Sequence, residues 1–363
     1  MTKTMTSVTQ ELLSISSARD IVDKTLDVFF AERIAKSNGI NRHYGELWQS
    51  INRLSGAGGK RIRSYATLMS YQIFSDKPFT DVVPIAAAQE LLHLALLIHD
   101  DIIDRDYIRY GVDNISGQYN HLYQSMIGDA DERRHFSDSA AILAGDLLIS
   151  GGYQLIHAST LPARDIAAAS TIFSNAVFTV AGGELLDTES SFRPFDAIDS
   201  LTIARYKTAH YSFVTPILMG ACLAGVNEEV QQSLEQFGET IGIAYQLVDD
   251  YLGVFGDEDL TGKSNINDIQ EAKRTYLIEQ FRLVATPEQM QIFDSLFGKK
   301  HITQVEAEAF RDIMTTSGAK DAMQAAIDGY HTHALQLLQT MPISVNGRTA
   351  FEALVERVIR RER

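Results

Sequence analysis

Ile85-Ala86-Ala87-Ala88-Gln89-Glu90-Leu91-Leu92-His93-Leu94-Ala95-Leu96-Leu97-Ile98-His99-Asp100-Asp101-Ile102-Ile103-Asp104 is an apolar run that closes on three carboxylates. The pattern predicts a helix to about Asp104, with Asp81 as N-cap and Pro84 tolerated in the first turn. On that helix Asp100 and Asp104 fall one turn apart on the same face. Like charges at this spacing destabilise an exposed helix by roughly a few tenths of a kcal/mol, so a compensating charge is called for. A hard divalent cation with oxygen ligands supplies it. His93 lies seven residues before Asp100, about 10 Å along nearly the same face. An isolated histidine on an apolar helix is usually a satisfied core residue; its alignment with the aspartates makes it a site candidate.

Further along, Tyr245-Gln246-Leu247-Val248-Asp249-Asp250-Tyr251-Leu252-Gly253 repeats the arrangement, with Gly253 where a third carboxylate could sit. A lone Asp-Asp pair usually marks a solvated helix end. Two of them, each after an apolar helical run, shift the balance towards a metal. The regular ligand spacing of an EF-hand is absent. If two antiparallel helices bring the clusters face to face, they form an acidic rim suited to a diphosphate carried by Mg2+.

The opposing cations begin at Gly56-Ala57-Gly58-Gly59-Lys60-Arg61-Ile62-Arg63, where a glycine stretch lets backbone amides approach a phosphate. It is not a Walker motif, because Ile62 and Arg63 follow where Lys-Ser/Thr would be needed. A basic loop on an acidic protein is the plainer alternative. Lys60 and Arg63 converge on one anion if the segment is helical. Further cations stand at Arg109, Lys207 beside Thr208, Lys263 after Gly262, and Lys273. The pattern allows two anionic subsites, one metal-borne and one held by cations.

The chain has 363 residues, a formal charge of −15, 45% hydrophobic residues, seven prolines and one cysteine, Cys222. The acidic balance disfavours nucleic acid as a partner, and one cysteine excludes a disulfide framework within the chain. Apolar runs such as Leu91 to Ile98 and Ala140 to Ile149 are interrupted or flanked by charge, so no membrane span is expected. The polar start Met1-Thr2-Lys3-Thr4 lacks the apolar core of a secretory signal, and a soluble cytoplasmic protein is expected. Long helices should dominate, starting near Gln10, Ser137, Arg164, Leu201, Glu228, Thr286, Thr303, Ala319 and Arg348. Loops are expected from Tyr110 to Ser137 and from Phe255 to Asn267.

In order along the chain, Gly-Gly-Lys-Arg-Ile-Arg, His93, Asp-Asp-Ile-Ile-Asp, Ala144-Gly145-Asp146, Lys207-Thr208, Tyr-Gln-Leu-Val-Asp-Asp and Gly262-Lys263 resemble the trans-polyprenyl diphosphate synthases. The resemblance covers roughly Gly58 to Lys273, and the ordered set is far more specific than any one part. It implies an all-α orthogonal helical bundle around a central cavity, a single domain over residues 1–363, and a homodimer. It implies that Asp100, Asp104 and Asp249 coordinate Mg2+, with Asp101 and Asp250 in support. Arg109, Lys207, Thr208, Gln246 and Lys263 would hold an allylic diphosphate, and Gly59, Lys60, Arg63 and His93 isopentenyl diphosphate. The implied activity is a head-to-tail prenyltransferase of isoprenoid biosynthesis.

Three positions depart from the family pattern. Tyr110 stands where a second arginine would follow Arg109, leaving Arg105 or the C-terminal Arg360, Arg361 and Arg363 as possible substitutes; Gly253 replaces a last aspartate; Ser64 replaces a common proline. Leu92, Ala95 and Leu96 match the positions that close the floor of the chain tunnel in the family. Small Ala95 there points to a geranylgeranyl product, with farnesyl or longer chains as alternatives. A class I terpene cyclase has no need of the Gly58–Arg63 stretch, whereas Tyr110 and Gly253 motivate a non-catalytic partner subunit or an isoprenoid-binding protein as a rival reading.

Overall fold

A computed structural model of the chain describes residues 12–197, 199–256 and 265–360. Apart from loops and one two-stranded hairpin, these residues are helical, so the all-α expectation holds. Backbone contacts divide the chain into two compact units: Met1–Phe173 with Met219–Val226, and Ser174–Leu218 with Asn227–Arg363.

The first unit comprises α1 (Ile15–Ile40), α2 (Arg42–Ala57), α3 (Ile62–Phe74), a 3-10 turn (Thr80–Val82), α4 (Val83–Ile103), β1 (Ile108–Arg109), β2 (Val112–Asp113), α5 (Ile115–Tyr123), α6 (Ala130–His157) and the start of α7 (Ala163–Ser190). The aspartate-bearing helix α4 packs mainly on α6, with α1 and α3 also against it. Glycine permits the close approach: a Cβ on Gly145 would lie 2.0 Å from His99 Nε2, and one on Gly151 would lie 2.7 Å from the Phe29 ring. Part of Ala144-Gly145-Asp146 is thereby explained by packing alone. Asp81 is not the N-cap of α4. It lies in the 3-10 turn, where its carboxylate accepts from Thr160 Oγ1 (2.6 Å) and its carbonyl from Ser159 Oγ (2.6 Å).

The second unit holds the rest of α7, α8 (Ser200–Ile203), a π-helical segment (Ala204–Val214), the start of α9 (Thr215–Ala224), α10 (Glu228–Phe255), α11 (Asn267–Gln270), α12 (Tyr276–Val284), α13 (Pro287–Leu296), α14 (Gln304–Thr316), α15 (Ala319–Thr340) and α16 (Val345–Ile359). α10 packs on the π-helical segment and on α15. Its Gly242 would place a Cβ 2.5 Å from Ala209 Cα, so the second aspartate helix also depends on a missing side chain for its seat.

Caps account for the accurate boundaries. Asn227 accepts from Val230 N, and Thr286 and Thr303 form capping boxes with Gln289 and Glu306. The expected loop from Tyr110 to Ser137 instead contains β2, α5 and the first turns of α6. Asn114 and Asp129, which read as loop residues, are N-caps there. The expected start near Gln10 lies outside the described residues, and that near Arg348 moves to Val345. The expectation that no apolar run reaches the length of a membrane span does not hold. Thr80–Ile103, Ala130–His157 and Ala163–Ser190 are long and apolar enough to cross a membrane by length and composition alone. In the structure 72% of the first window is buried but only 28% of the third.

Candidate active site

In the first unit, α4 presents Asp100 half-buried, Asp101 buried and Asp104 exposed at its C-cap. The hairpin β1–β2 returns Arg109 onto this helix end. Its Nε donates to Asp101 Oδ1 (2.6 Å) and its Nη2 to Asp100 Oδ2 (3.1 Å). Arg109, which the resemblance assigns to the allylic diphosphate, is paired in this structure with the first aspartates. Burial pushes the Asp101 carboxyl up to about 6, although Arg109 pulls it down. Burial opposes the charge on Arg109, but Asp101 and Asp100 outweigh it and hold its pKa above the ordinary value. The second oxygen of Asp101, Oδ2, is buried with no hydrogen-bond partner.

Among the described residues no three His, Cys, Asp or Glu side chains are gathered as a metal-holding group. Asp100 and Asp104 share one helix end in the first unit, and Asp249 lies in the second unit. Magnesium seldom uses an all-protein cage: it is held by one or two carboxylates, with water and substrate phosphate completing the octahedron. Hard carboxylate oxygens one helical turn apart, at Asp100 and Asp104, with the orphaned Asp101 Oδ2 beside them, fit that requirement.

His93 is half-buried on the same helix. Burial pushes its pKa well below the ordinary value, and the charges of Arg63, Arg109 and Arg61 push the same way, so at neutral pH the ring is uncharged. The Gly58–Arg63 stretch runs into α3: Gly59 has φ 106° and Arg61 φ 52°, with Lys60 exposed and Arg63 half-buried. Arg61 is an anchor, donating to Asp23 Oδ1 (2.7 Å) and Ser55 O (3.0 Å) and lying 3.7 Å from Glu90. Ser64, where the family often has proline, donates its amide to buried Glu90 (3.0 Å), a bond proline could not make. Of the tunnel-floor candidates, Leu92 and Ala95 are buried and Leu96 is half-buried.

In the second unit, Lys207 and Thr208 sit within the π-helical segment, a form frequent at functional sites. Lys207 Nζ meets Asp187 Oδ2 (2.6 Å) and Glu184 Oε2 (3.0 Å) of α7. Thr208 Oγ1 donates to Gln246 Oε1 (2.6 Å), Gln246 Nε2 to Asp250 Oδ1 (2.8 Å), and Lys273 Nζ approaches the same oxygen (3.3 Å). Asp250 is thus a buried anchor, its carboxyl pushed up to about 6 chiefly by burial and held down by Lys273. Asp249 beside it is half-buried. The charge of Asp268 raises Lys273 well above its ordinary pKa despite burial. Asp268 also explains Gly253, since a Cβ there would lie 2.1 Å from Asp268 Oδ2. Lys263 and Gly262, like Arg361 and Arg363, lie outside the described residues; Arg360 pairs with Glu356 (3.1 Å).

Sequence reasoning missed Glu184, Asp187 and Asp268. The first two carry a readable signal, acidic residues at i and i+3 after Gly182-Gly183 in an apolar helix. Asp268 offers none, because its approach to Gly253 comes from tertiary folding.

The profile of the Polyprenyl synthetase family matches residues 45–314, and the chain belongs to that family of prenyl-transferring enzymes. It is similar to the geranylgeranyl diphosphate synthase of Sulfolobus acidocaldarius, at 29% identity over 93% of this chain and 99% of the relative. At the same identity, over 88% of this chain and 98% of the relative, it is similar to the geranylfarnesyl diphosphate synthase of Aeropyrum pernix. Among solved structures, geranylgeranyl pyrophosphate synthase from Corynebacterium glutamicum, complexed with isoprenyl diphosphate and magnesium, superposes with a TM-score of 0.88 at 26% identity. That comparison covers 96% of this chain and 100% of the other.

Proposed function

We propose that this protein is a geranylgeranyl diphosphate synthase, in which residues 1–363 act as one domain in the head-to-tail condensation of isopentenyl diphosphate with an allylic diphosphate. The observation that carries the reading is the family match over residues 45–314, which takes in Lys60, Arg63, Asp100, Asp104, Arg109, Lys207, Asp249 and Lys273. Mg2+, for which Asp100, Asp104 and Asp249 are the ligands of choice, would supply countercharge to the leaving diphosphate.

The side chains divide the remaining work. Lys207 and Thr208, with Lys263 and Arg109, hold the allylic diphosphate, and Gln246, Asp250 and Lys273 fix Thr208 through the hydrogen-bonded chain described above. Gly59, Lys60 and Arg63 hold isopentenyl diphosphate, and His93, uncharged at neutral pH, donates one hydrogen bond to it. Cationic surroundings stabilise negative charge on the departing diphosphate as the allylic C–O bond breaks. The double bond of isopentenyl diphosphate then attacks the allylic carbon and a proton leaves, with the released diphosphate as acceptor. Holding the partners in one orientation replaces a bimolecular collision.

The names of the Sulfolobus acidocaldarius relative and of the Corynebacterium glutamicum structure, the small Ala95 and the intermediate Leu92 and Leu96 favour a twenty-carbon product. A homodimer is supported by α7, which exposes Phe178 and Leu185 to solvent at 83% and 66%. The test is incubation of the purified protein with Mg2+, isopentenyl diphosphate and each allylic starter, followed by chromatography. A twenty-carbon diphosphate is expected. Absence of any condensation product would favour a partner subunit or a binding protein instead.

A further inference from the structure

Tyr110 is the residue that the family pattern leaves unexplained, and its surroundings are unusual in two respects. It occupies the first central position of a two-residue hairpin turn between Arg109 and Val112, with φ 55°, followed by Gly111 at φ 75°. Positive φ at both positions defines a type I′ turn, where Asn-Gly or Gly-Gly is preferred. A tyrosine there is strained unless something else in the structure holds it. The second observation supplies that something. The Tyr110 ring lies on Gly58, so near that a Cβ at 58 would fall 2.7 Å from ring Cγ and 2.8–2.9 Å from both Cδ atoms. Gly58 itself has φ −168°, an extended backbone open to any residue. Glycine is required there by the ring, not by the turn of the chain.

The contact falls at one end of the phosphate-cradle stretch. Gly58 is followed by Gly59 in the left-handed region and then by Lys60. Two consecutive glycines leave that backbone with large conformational freedom, and ordering it to present amides and Lys60 to an anion costs entropy at binding. A ring clamped on the first glycine lowers that cost before substrate arrives. The neighbouring residue, Arg109, grips Asp100 and Asp101 from the same hairpin, which fixes the hairpin on α4.

We propose that Tyr110 is a positioning residue: its ring clamps Gly58 and pre-orders the Gly58-Gly59-Lys60 backbone for the diphosphate of isopentenyl diphosphate. It takes the place of the family's arginine by organising the loop, without contributing a charge. This rests on the proposed synthase activity, so the experiment has two independent arms.

In the kinetic arm, Tyr110→Ala is expected to raise KM for isopentenyl diphosphate by about tenfold, with kcat and KM for the allylic substrate within about twofold of wild type. Tyr110→Phe keeps the ring and restores tight binding. Gly58→Ala displaces the ring without straining the backbone and should reproduce the Tyr110→Ala phenotype, while the double variant should be no worse than either single one. An unchanged KM for isopentenyl diphosphate, or an equal rise for both substrates, would overturn the proposal. In the second arm, amide hydrogen exchange of the full-length protein reads residues 56–61 whether or not the wild type condenses any substrate. Faster exchange there in Tyr110→Ala, but not in Tyr110→Phe, is expected; equal exchange in all three proteins would refute the clamp. A wild type without activity but with this exchange pattern would sink the synthase reading alone.

Discussion

Gln89 stands on α4 three turns before Asp100 and nearly in line with it, 1% exposed, and neither atom of its amide has a hydrogen-bond partner. A buried unpaired amide costs roughly 1–3 kcal/mol. Gln89→Leu, close in volume, is therefore expected to raise unfolding free energy by about 1 kcal/mol or more in a urea titration; a loss of stability would show that the amide is satisfied by internal water. Asp101 offers a test of the opposite kind. Its folded pKa of about 6 lies above the ordinary 3.8, so the group contributes stability at low pH that is lost as pH rises through about 6. The melting temperature of Asp101→Asn, measured against wild type in metal-free buffer, should improve steadily between pH 4 and pH 7; a constant or narrowing difference would contradict the raised pKa. Residues of this kind were only partly legible. Asp100, Asp101 and Asp250 are conspicuous as charges after apolar runs, but that Arg109 binds the first pair, or that Asp268 fills the space beside Gly253, depends on contacts that no local spacing encodes.

At the level of elements, legibility follows the caps. Asn227, Thr286 and Thr303 announce their helices because a side-chain oxygen before an amphipathic run has an obvious use. The same chemistry misled between Tyr110 and Ser137, where Asn114 and Asp129 cap α5 and α6 yet sit among glycines and charges that mimic a loop. The π-helical segment carrying Lys207 was invisible because its sequence, Ala204–Val214, has ordinary helix formers and no glycine or proline to mark the wider turn. α4 carries the element-scale prediction. Ala95 is fully buried, and a phenyl ring there adds bulk on the tunnel face that the family resemblance assigns to it. Ala95→Phe is expected to shift the product from twenty carbons to fifteen on chromatography; an unaltered distribution would remove Ala95 from the tunnel.

For the molecule as a whole, the apolar pair exposed on α7 bears on assembly. Phe178 and Leu185 lie two turns apart on that helix, a paired apolar exposure that suits a partner surface. Sedimentation should report a dimer for the wild type and a monomer for the double variant Phe178→Glu and Leu185→Glu; a wild-type monomer would end the homodimer proposal. The net charge of −15 proved a poor guide to ligands, because its effect is local. One consequence of that locality concerns the ion pair between Arg109 and the first aspartates. The chain brings its own counter-ion to the Asp100–Asp101 pair, so a newly made molecule can order this helix end before meeting any divalent cation. On the proposed synthase reading, protein made without Mg2+ is expected to be folded and inactive, and addition of the metal should restore activity without refolding.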